Sequence, residues 1–132
     1  MGNRRLSLRV VMMPRDTNHY GTIFGGVILA YIDQAGFVEA LRYGSHKWVT
    51  VSMDRVEFKQ PVFVGDVVSF YASTVREGTT SLTVSVEVEA QRAADGSSVG
   101  VTAATMTLVS VGGDSRPIPF RRPGVPTPPA AT

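Results

Sequence analysis

NHYGTIFGGVILAYIDQAG, residues 18–36, is the stretch around which the rest of the chain is organised. Its first part is rich in turn-forming residues. A Gly25–Gly26 pair follows, and then a long apolar segment carries a single carboxylate, Asp33. Because the sequence after this segment is β-prone, we predict one helix packed against a sheet.

The helix is predicted to begin between Thr22 and Gly25 and to end near Tyr43, with Thr22 as its N-cap and Gly44 just beyond its end. At about 100° per residue, Asp33 falls in the middle of an apolar arc. The other side also carries apolar residues, so the pattern predicts a helix buried almost all round. The residues of the Asp33 arc are Gly26, Leu29, Ala30, Gly36, Phe37, Ala40 and Leu41.

Five segments read as β-strands, and the fourth alternates most clearly between apolar and polar residues. The links between the later strands are short, and Asp95–Gly96 is a hairpin signal, so the pairing is predicted to be antiparallel. The fold class is therefore α+β, with a domain over residues 1–115 and a Pro-rich tail over 116–132 that is disordered or lies along the surface. The predicted strands span residues 6–13, 47–58, 67–75, 81–92 and 99–111.

Composition limits the function further. The 132 residues include no cysteine, which excludes disulfides and thiol catalysis, and only two histidines, so we predict neither a metal site nor a cofactor. A net charge of +2 is too small to indicate nucleic acid as a partner. No signal peptide or membrane span is visible, which predicts a cytoplasmic protein. The low charged share of 18% favours self-association.

Asp33 is the best candidate for catalysis. A carboxylate on an apolar helix face is unfavourable to bury unless it is paired or used, and desolvation would make it a better general base. The alternative is a helix rotated so that Asp33 reaches solvent, or an aspartate that caps a neighbouring loop.

Gly25 and Gly26 lie at the predicted helix N-terminus, where free N–H groups and the helix dipole create an oxyanion site. The alternative is that these glycines allow tight helix–sheet packing. Asn18, a few residues earlier, has an amide that could orient water or a carbonyl, although an Asx-turn is the simpler interpretation. His19 and His46 are more typical of surface or turn positions.

Six short motifs are spread along the chain. They are MPRDTN at residues 13–18 with Gly21, IFGG at 23–26, IDQAG at 32–36, FKQPVFVGD at 58–66, GTTS at 78–81 and RPIP at 116–119. Together they resemble the acyl-CoA thioesterases of the hotdog fold, in particular the bacterial short-chain acyl-CoA thioesterases and the cytosolic (brain-type) acyl-CoA hydrolases. The resemblance covers roughly residues 6–119.

The resemblance implies a curved antiparallel sheet wrapped around one central helix, a double-hotdog dimer and, often, a trimer of dimers. It implies hydrolysis of acyl-CoA to a free acid and CoA, with Asp33 as general base or nucleophile. Asn18 would reach Asp33 from a different subunit. The turn formed by Phe24, Gly25 and Gly26 would polarise the thioester carbonyl, with the Gly26 N–H as the oxyanion contact.

Basic side chains are expected to hold the CoA phosphates. The candidates are Arg55, Lys59 and Arg76, with Arg121 and Arg122 behind them. Phe24, Gly25 and His19 are further substrate-binding candidates. His19–Tyr20 is a departure between Asn18 and Gly21 that bears on substrate preference.

Three other functions remain open at this stage. A hotdog protein could bind acyl-CoA as a sensor or carrier without hydrolysing it, but such a binder has no use for Asp33 beside a thioester. A hotdog hydratase usually needs an Asp–His pair, and no histidine follows Asp33 at suitable spacing. A purely structural oligomer leaves Asp33 unexplained.

Overall fold

The computed structural model describes residues 3–121 and contains a five-stranded antiparallel sheet packed against one helix. The strand order is β1-β3-β4-β5-β2, so the strands that flank the helix in sequence form the two edges of the sheet. This agrees with the predicted α+β class. The elements are β1 (Arg5–Val11), α1 (Gly25–Ala40), β2 (Lys47–Phe58), β3 (Val67–Glu77), β4 (Ser81–Gln91) and β5 (Ser98–Val111), with 3-10 turns at Pro14–Asp16 and Leu41–Tyr43.

The alternation seen in the sequence sets the central strand. In β4 every second residue from Leu82 to Ala90 is buried beneath the helix, and the residues between them lie on the other face of the sheet. The β4–β5 hairpin turns at the predicted Asp95–Gly96, where Gly96 has a φ of 74°. All five predicted strands are present, with ends that differ by at most two residues.

The helix begins at Gly25, the last position of the predicted range, but its N-cap differs from the prediction. Its N-cap is Phe24, not Thr22, because the Thr22 side chain is already bonded to Asn18 in the preceding loop. At the other end the α-helix stops at Ala40, and a 3-10 turn leads to Gly44, whose φ of 129° suits the glycine predicted there.

Only one side of the helix is buried in the chain. The buried side contains Ile28, Ile32 and Ala35, and Gly36, where a Cβ would overlap the Met106 thioether from β5. The predicted burial all round is therefore wrong for the single chain. Much of the Asp33 arc is exposed, including Ala30, Phe37 and Leu41. Both sides are apolar, and one sheet can cover only one of them.

The helix also buries a charge that the sequence did not reveal. Glu39 is 1% exposed, and its carboxylate accepts hydrogen bonds from Thr74 Oγ1 at 2.8 Å and Arg42 Nη1 at 3.0 Å. These donors satisfy a carboxylate that would otherwise be costly to bury.

A second buried ion pair holds the loop between β2 and β3. Asp66 is 2% exposed and accepts hydrogen bonds from Arg92 Nη1 at 2.7 Å and from the backbone N–H groups of Phe63 and Ala93. Arg92 Nη1 also donates to the Pro61 carbonyl at 2.8 Å. This cluster fixes the loop that runs beside the helix N-terminus.

We expect Asp66→Ala to lower the free energy of unfolding by about 3–5 kcal/mol, because it leaves Arg92 and two backbone amides without their buried acceptor. Urea unfolding followed by circular dichroism measures the loss. The matched control is Asp114→Ala, which breaks an exposed pair with Arg116 at 3.8 Å and should change stability by less than about 1 kcal/mol. Equal losses for the two variants would contradict the prediction.

The packed part of the chain extends beyond the predicted boundary at residue 115. Phe120 is 2% exposed and packs against Tyr43 and Trp48, while its carbonyl lies 2.8 Å from His46 Nε2. The first part of the predicted tail therefore closes the end of the core. The prolines from Pro123 onward, and Arg122, lie outside the described residues. Within residues 3–121, no helix has the length and hydropathy to span a membrane.

Candidate active site

The N-terminus of α1 is open to a ligand. No side chain caps it and no acidic residue lies in its first turn. The N–H groups of Val27 and Ile28 donate back to the Phe24 carbonyl, but within residues 3–121 neither Gly25 nor Gly26 has an acceptor for its N–H. Both glycines are exposed, so two unpaired amides lie at the positive end of the helix dipole.

Gly25 and Gly26 differ in what surrounds them. A Cβ on Gly26 would meet nothing within 4 Å, whereas a Cβ on Gly25 would lie 3.3 Å from Cζ of Phe58. The space where a Gly26 side chain would lie is thus open, and Gly25 lets the Phe58 ring approach the first turn of the helix. Gly25 therefore fits the packing alternative, and the unpaired N–H of Gly26 fits the oxyanion alternative.

Asp33 lies two helical turns further along and is exposed in the chain. Its Oδ1 accepts a hydrogen bond of 2.6 Å from Thr50 Oγ1 on β2. The expectation of a buried carboxylate is wrong for the single chain, for the reason given above: the sheet covers the other side of the helix. The Thr50 bond nevertheless fixes the carboxylate among exposed apolar residues.

Thr50 was missed by the sequence reasoning. It stands 17 residues after Asp33, at the point where β2 has a register irregularity between Thr50 and Ser52. A single threonine in a β-prone run carries no signal of this contact. Only the packing of the edge strand against the helix reveals it.

The Asn18 loop is tied to itself and to the β2–β3 loop. Asn18 Oδ1 accepts hydrogen bonds from the N–H groups of Tyr20 at 2.9 Å and Thr22 at 3.2 Å, and Asn18 Nδ2 donates to Thr22 Oγ1 at 2.9 Å. Thr22 pairs with Phe63, and the Ile23 N–H donates to the Val62 carbonyl. The Asx-turn considered for Asn18 is present, and one N–H of its amide has no acceptor within residues 3–121.

The tip of this loop carries an exposed aromatic pair. The His19 and Tyr20 rings lie 3.9 Å apart between centroids, and Tyr20 is 80% exposed. Gly21 follows with a φ of 88°, a value that favours glycine. His19 is therefore near Asn18 in the same loop, but the structure shows no contact between it and Asp33.

The three basic candidates are not brought together. Lys59 lines a cavity of about 300 Å³ beside the helix N-terminus. Arg55 lies four residues earlier on β2, at a bulge. Its φ is 54°, a value that is unusual for a residue other than glycine. Arg76 lies at the other end of the sheet, next to Glu77, which accepts a hydrogen bond from Tyr43 beyond the helix C-terminus.

A 16-residue helix is about 24 Å long, so Arg76 is far from the open N-terminus of α1 in the same chain. Arg121 forms an ion pair with Glu77 at the same distant end. Of the predicted phosphate ligands within residues 3–121, only Lys59 lies at the helix N-terminus, with Arg55 nearby along the strand.

Comparisons with known proteins agree on one family. A family model described as the Thioesterase superfamily matches residues 20–96. An acyl-CoA thioester hydrolase, YciA, from Salmonella typhimurium is 38% identical over 118 residues, which cover 87% of this chain and 89% of that protein.

Solved structures give the same result. Cj0915, a hexameric hotdog fold thioesterase of Campylobacter jejuni, is 47% identical and superposes with a TM-score of 0.83, covering 88% of this chain and 90% of that chain. An acyl-CoA hydrolase from Staphylococcus aureus, solved in complex with butyryl coenzyme A and coenzyme A, is 28% identical with a TM-score of 0.77, covering 85% of this chain and 68% of that chain.

Proposed function

This chain belongs to the thioesterase superfamily, with the hotdog fold, and from that premise we propose that it hydrolyses acyl-CoA thioesters to the free acid and CoA. The observation that carries the proposal is the pairing of a fixed carboxylate, Asp33, with open amides at the N-terminus of the same helix. Relatives named as acyl-CoA thioester hydrolases support the substrate class.

The spacing along the helix suits a thioester. Asp33 follows Gly26 by seven residues, which is about 10 Å along the axis. Helical side chains lean toward the N-terminus, so the carboxylate lies closer to the amides than its Cα does. We propose that the carbonyl oxygen binds the Gly26 N–H, which points toward the helix N-terminus, and that the attacking water lies on the side of the thioester that faces Asp33.

Each group then has one role. A water held by Asp33 attacks the carbonyl carbon while the carboxylate takes the water's proton. The carbonyl oxygen becomes an oxyanion held by the Gly26 N–H. When the C–S bond breaks, the proton passes from Asp33 to the departing thiolate, which leaves the acid and the CoA thiol.

Direct attack by Asp33 is the second route, and it forms a mixed anhydride before water enters. A single turnover in heavy-oxygen water tests the second route. Label in the Asp33 side chain identifies direct attack, because it arises when water attacks the Asp33 carbon of the anhydride. Label in the acid alone arises by either route, and an acylated Asp33 peptide found by mass spectrometry after rapid quenching then distinguishes direct attack from the general base.

A complete site needs a second subunit in this proposal. The relative from Campylobacter jejuni is hexameric, and the surface around Asp33 is apolar: Phe37 is 41% exposed, Leu41 is 42% exposed and Val51 on the edge strand β2 is 57% exposed. We propose a dimer in which β2 pairs with its copy, assembled further as a trimer of dimers. The unused amide N–H of Asn18 would then reach the neighbour's Asp33.

Lys59 and Arg55 are proposed to hold the CoA phosphates, because both lie toward the helix N-terminus. Arg76 lies at the end of the sheet opposite the helix N-terminus of the same chain, so it can contribute only to a site of another subunit. A cytoplasmic location stays a prediction from the sequence.

The test of the function is thiol release from a panel of acyl-CoAs by the wild-type protein. Release of CoA from at least one acyl-CoA supports hydrolysis. Measurable CoA binding without thiol release at any chain length would instead support the acyl-CoA sensor.

We expect Thr50→Val to lower kcat about 10- to 100-fold, because a hydrogen bond to a charged group contributes roughly 1.5–3 kcal/mol and valine leaves Asp33 free to turn. KM should change little, since Thr50 orients Asp33 and does not itself hold substrate. Thr50→Ser keeps the hydroxyl and should retain most of the rate. Wild-type kcat in Thr50→Val would show that the bond does not position the base.

A further inference from the structure

The Asn18 side chain is held at both ends of its amide group. Its Oδ1 accepts hydrogen bonds from the backbone N–H groups of Tyr20 at 2.9 Å and Thr22 at 3.2 Å. Two backbone donors can face only the oxygen of an amide, so they fix which end is oxygen and which is nitrogen. Asn18 Nδ2 then lies 2.9 Å from Thr22 Oγ1, which accepts its hydrogen bond.

Thr22 Oγ1 is the acceptor in this contact and not the donor. It also lies 3.3 Å from Asn18 Oδ1, but the two backbone N–H groups already occupy the lone pairs of that oxygen. The shorter contact therefore uses one of the two hydrogens on Nδ2. Because both hydrogens lie in the plane of the amide group, a bond that fixes one of them also fixes the direction of the other.

The two backbone bonds do not fix this direction by themselves. Both converge on Oδ1, so the amide group can pivot about that atom until Nδ2 is held as well. Thr22 is suited to hold it, because its β-branched side chain is restricted at χ1 and its backbone is bound on two sides. The Thr22 carbonyl accepts a hydrogen bond of 2.8 Å from the Asn18 N–H, and Thr22 also pairs with Phe63 in the loop between β2 and β3.

We propose that Thr22 is a positioning residue for the Asn18 amide. Its hydroxyl oxygen holds one N–H of Asn18, so that the other N–H reaches the neighbour's Asp33. The inference rests on the thioesterase function and on the shared site proposed above. Thr22 touches neither the thioester nor Asp33 in this arrangement, and it changes kcat only through the direction of a single N–H bond.

The first test measures kcat and KM for wild type, Thr22→Val and Thr22→Ser. Valine has the shape of threonine but no acceptor, and it should lower kcat about 3- to 10-fold, the effect of one neutral hydrogen bond. KM should change little, because Thr22 does not hold substrate. Serine keeps the oxygen and should stay within about twofold of wild type. Thr22→Ala replaces Thr22→Val if the valine variant unfolds in circular dichroism.

Thr17→Val is the matched control. Thr17 is a half-buried threonine in the same loop, and its Oγ1 donates a hydrogen bond of 2.6 Å to the Pro14 carbonyl. The substitution removes one hydrogen bond from the loop but leaves the contacts of the Asn18 amide in place, so kcat should stay within about twofold of wild type. Equal losses for Thr17→Val and Thr22→Val would show that kcat depends on the order of the loop and not on the amide direction, which would overturn the inference.

The second test asks whether Thr22 acts through Asn18. In an Asn18→Ala background, Thr22→Val has no amide left to release, so it should lower kcat by less than about twofold. A loss as large as the one in the wild-type background would mean that Thr22 acts independently of Asn18, and the inference would be wrong.

The third test asks in which subunit the effect appears. Thr22→Val and Asp33→Asn chains are co-expressed with different affinity tags, and the mixed assemblies are purified. A mixed dimer has one site that joins Asp33 of the Thr22→Val chain to Asn18 of the other chain, where Thr22 is intact. The kcat per chain that retains Asp33 should therefore rise from the Thr22→Val value toward the wild-type value. A kcat that stays at the Thr22→Val value would place the effect at the helix N-terminus of the same chain and contradict the inference.

The outcomes separate the inference from the function. Wild-type kcat in Thr22→Val, or a change in KM alone, would overturn the inference, while thiol release by the wild type keeps the function. No thiol release by the wild type from any acyl-CoA would overturn the function and the inference together.

Discussion

Asp33→Asn is expected to lower kcat by about 10²- to 10⁴-fold, the usual contribution of a positioned general base. The amide keeps the size of the side chain and can still accept a hydrogen bond from Thr50 Oγ1, which lies 2.6 Å from Asp33 Oδ1 in the native protein. It cannot accept a proton from water. The effect should therefore appear in kcat, measured by thiol detection at saturating acyl-CoA, with little change in binding of free CoA.

Asp114→Asn is the matched control for this experiment. Asp114 is an exposed carboxylate in the turn that follows β5, and its replacement makes the same change in net charge. Its kcat should stay within about twofold of wild type, since surface substitutions rarely have large effects. An Asp33→Asn protein with wild-type kcat would remove Asp33 from the mechanism on either route.

Mixing two inactive variants is expected to restore activity. Asn18→Ala should lower kcat about 10²-fold or more, by analogy with the loss of one hydrogen-bond donor at a developing charge. If Asn18 serves the neighbour's Asp33, a dimer of one Asn18→Ala chain and one Asp33→Asn chain has one intact site and one doubly altered site. A purified mixed dimer therefore has half of the wild-type sites, and a random mixture, in which half of the dimers are mixed, has about one quarter.

Co-expression of the two variants with different affinity tags, followed by tandem purification, isolates the mixed assemblies. Two differently tagged Asp33→Asn chains, handled in the same way, provide the control and should stay inactive. Mixed assemblies no more active than their parents would mean that Asn18 and Asp33 do not act across subunits. A fully active protein that is a stable monomer by light scattering would lead to the same conclusion.

The periodic features of the sequence were sufficient to predict most of the fold. Alternation in 81–92 identified β4 and the face that it buries, and the long apolar segment identified the helix. These signals repeat along the chain, so one misleading residue does not hide them. The resemblance extended them to a hotdog fold, which the structural comparison supports.

What escaped the sequence depends on single contacts. Periodicity cannot tell which of two apolar helix faces meets the chain's own sheet, so Asp33 was expected in the core and lies at the surface. Thr22 resembles an N-cap, but its hydroxyl is taken by Asn18. Phe120 stands among prolines that argue against regular structure, yet a single aromatic ring can be buried without any regular element around it.

The contact between Gly36 and Met106 makes the protein's core a potential point of oxidative damage. The Met106 side chain is fully buried, and its sulfur occupies the space left by the missing side chain of Gly36. A sulfoxide adds an oxygen atom and a strong dipole to the thioether, and that site offers no room for either. Peroxide can reach this sulfur only when the helix moves away from β5, so the rate of sulfoxide formation at Met106 reports how often the helix and sheet separate.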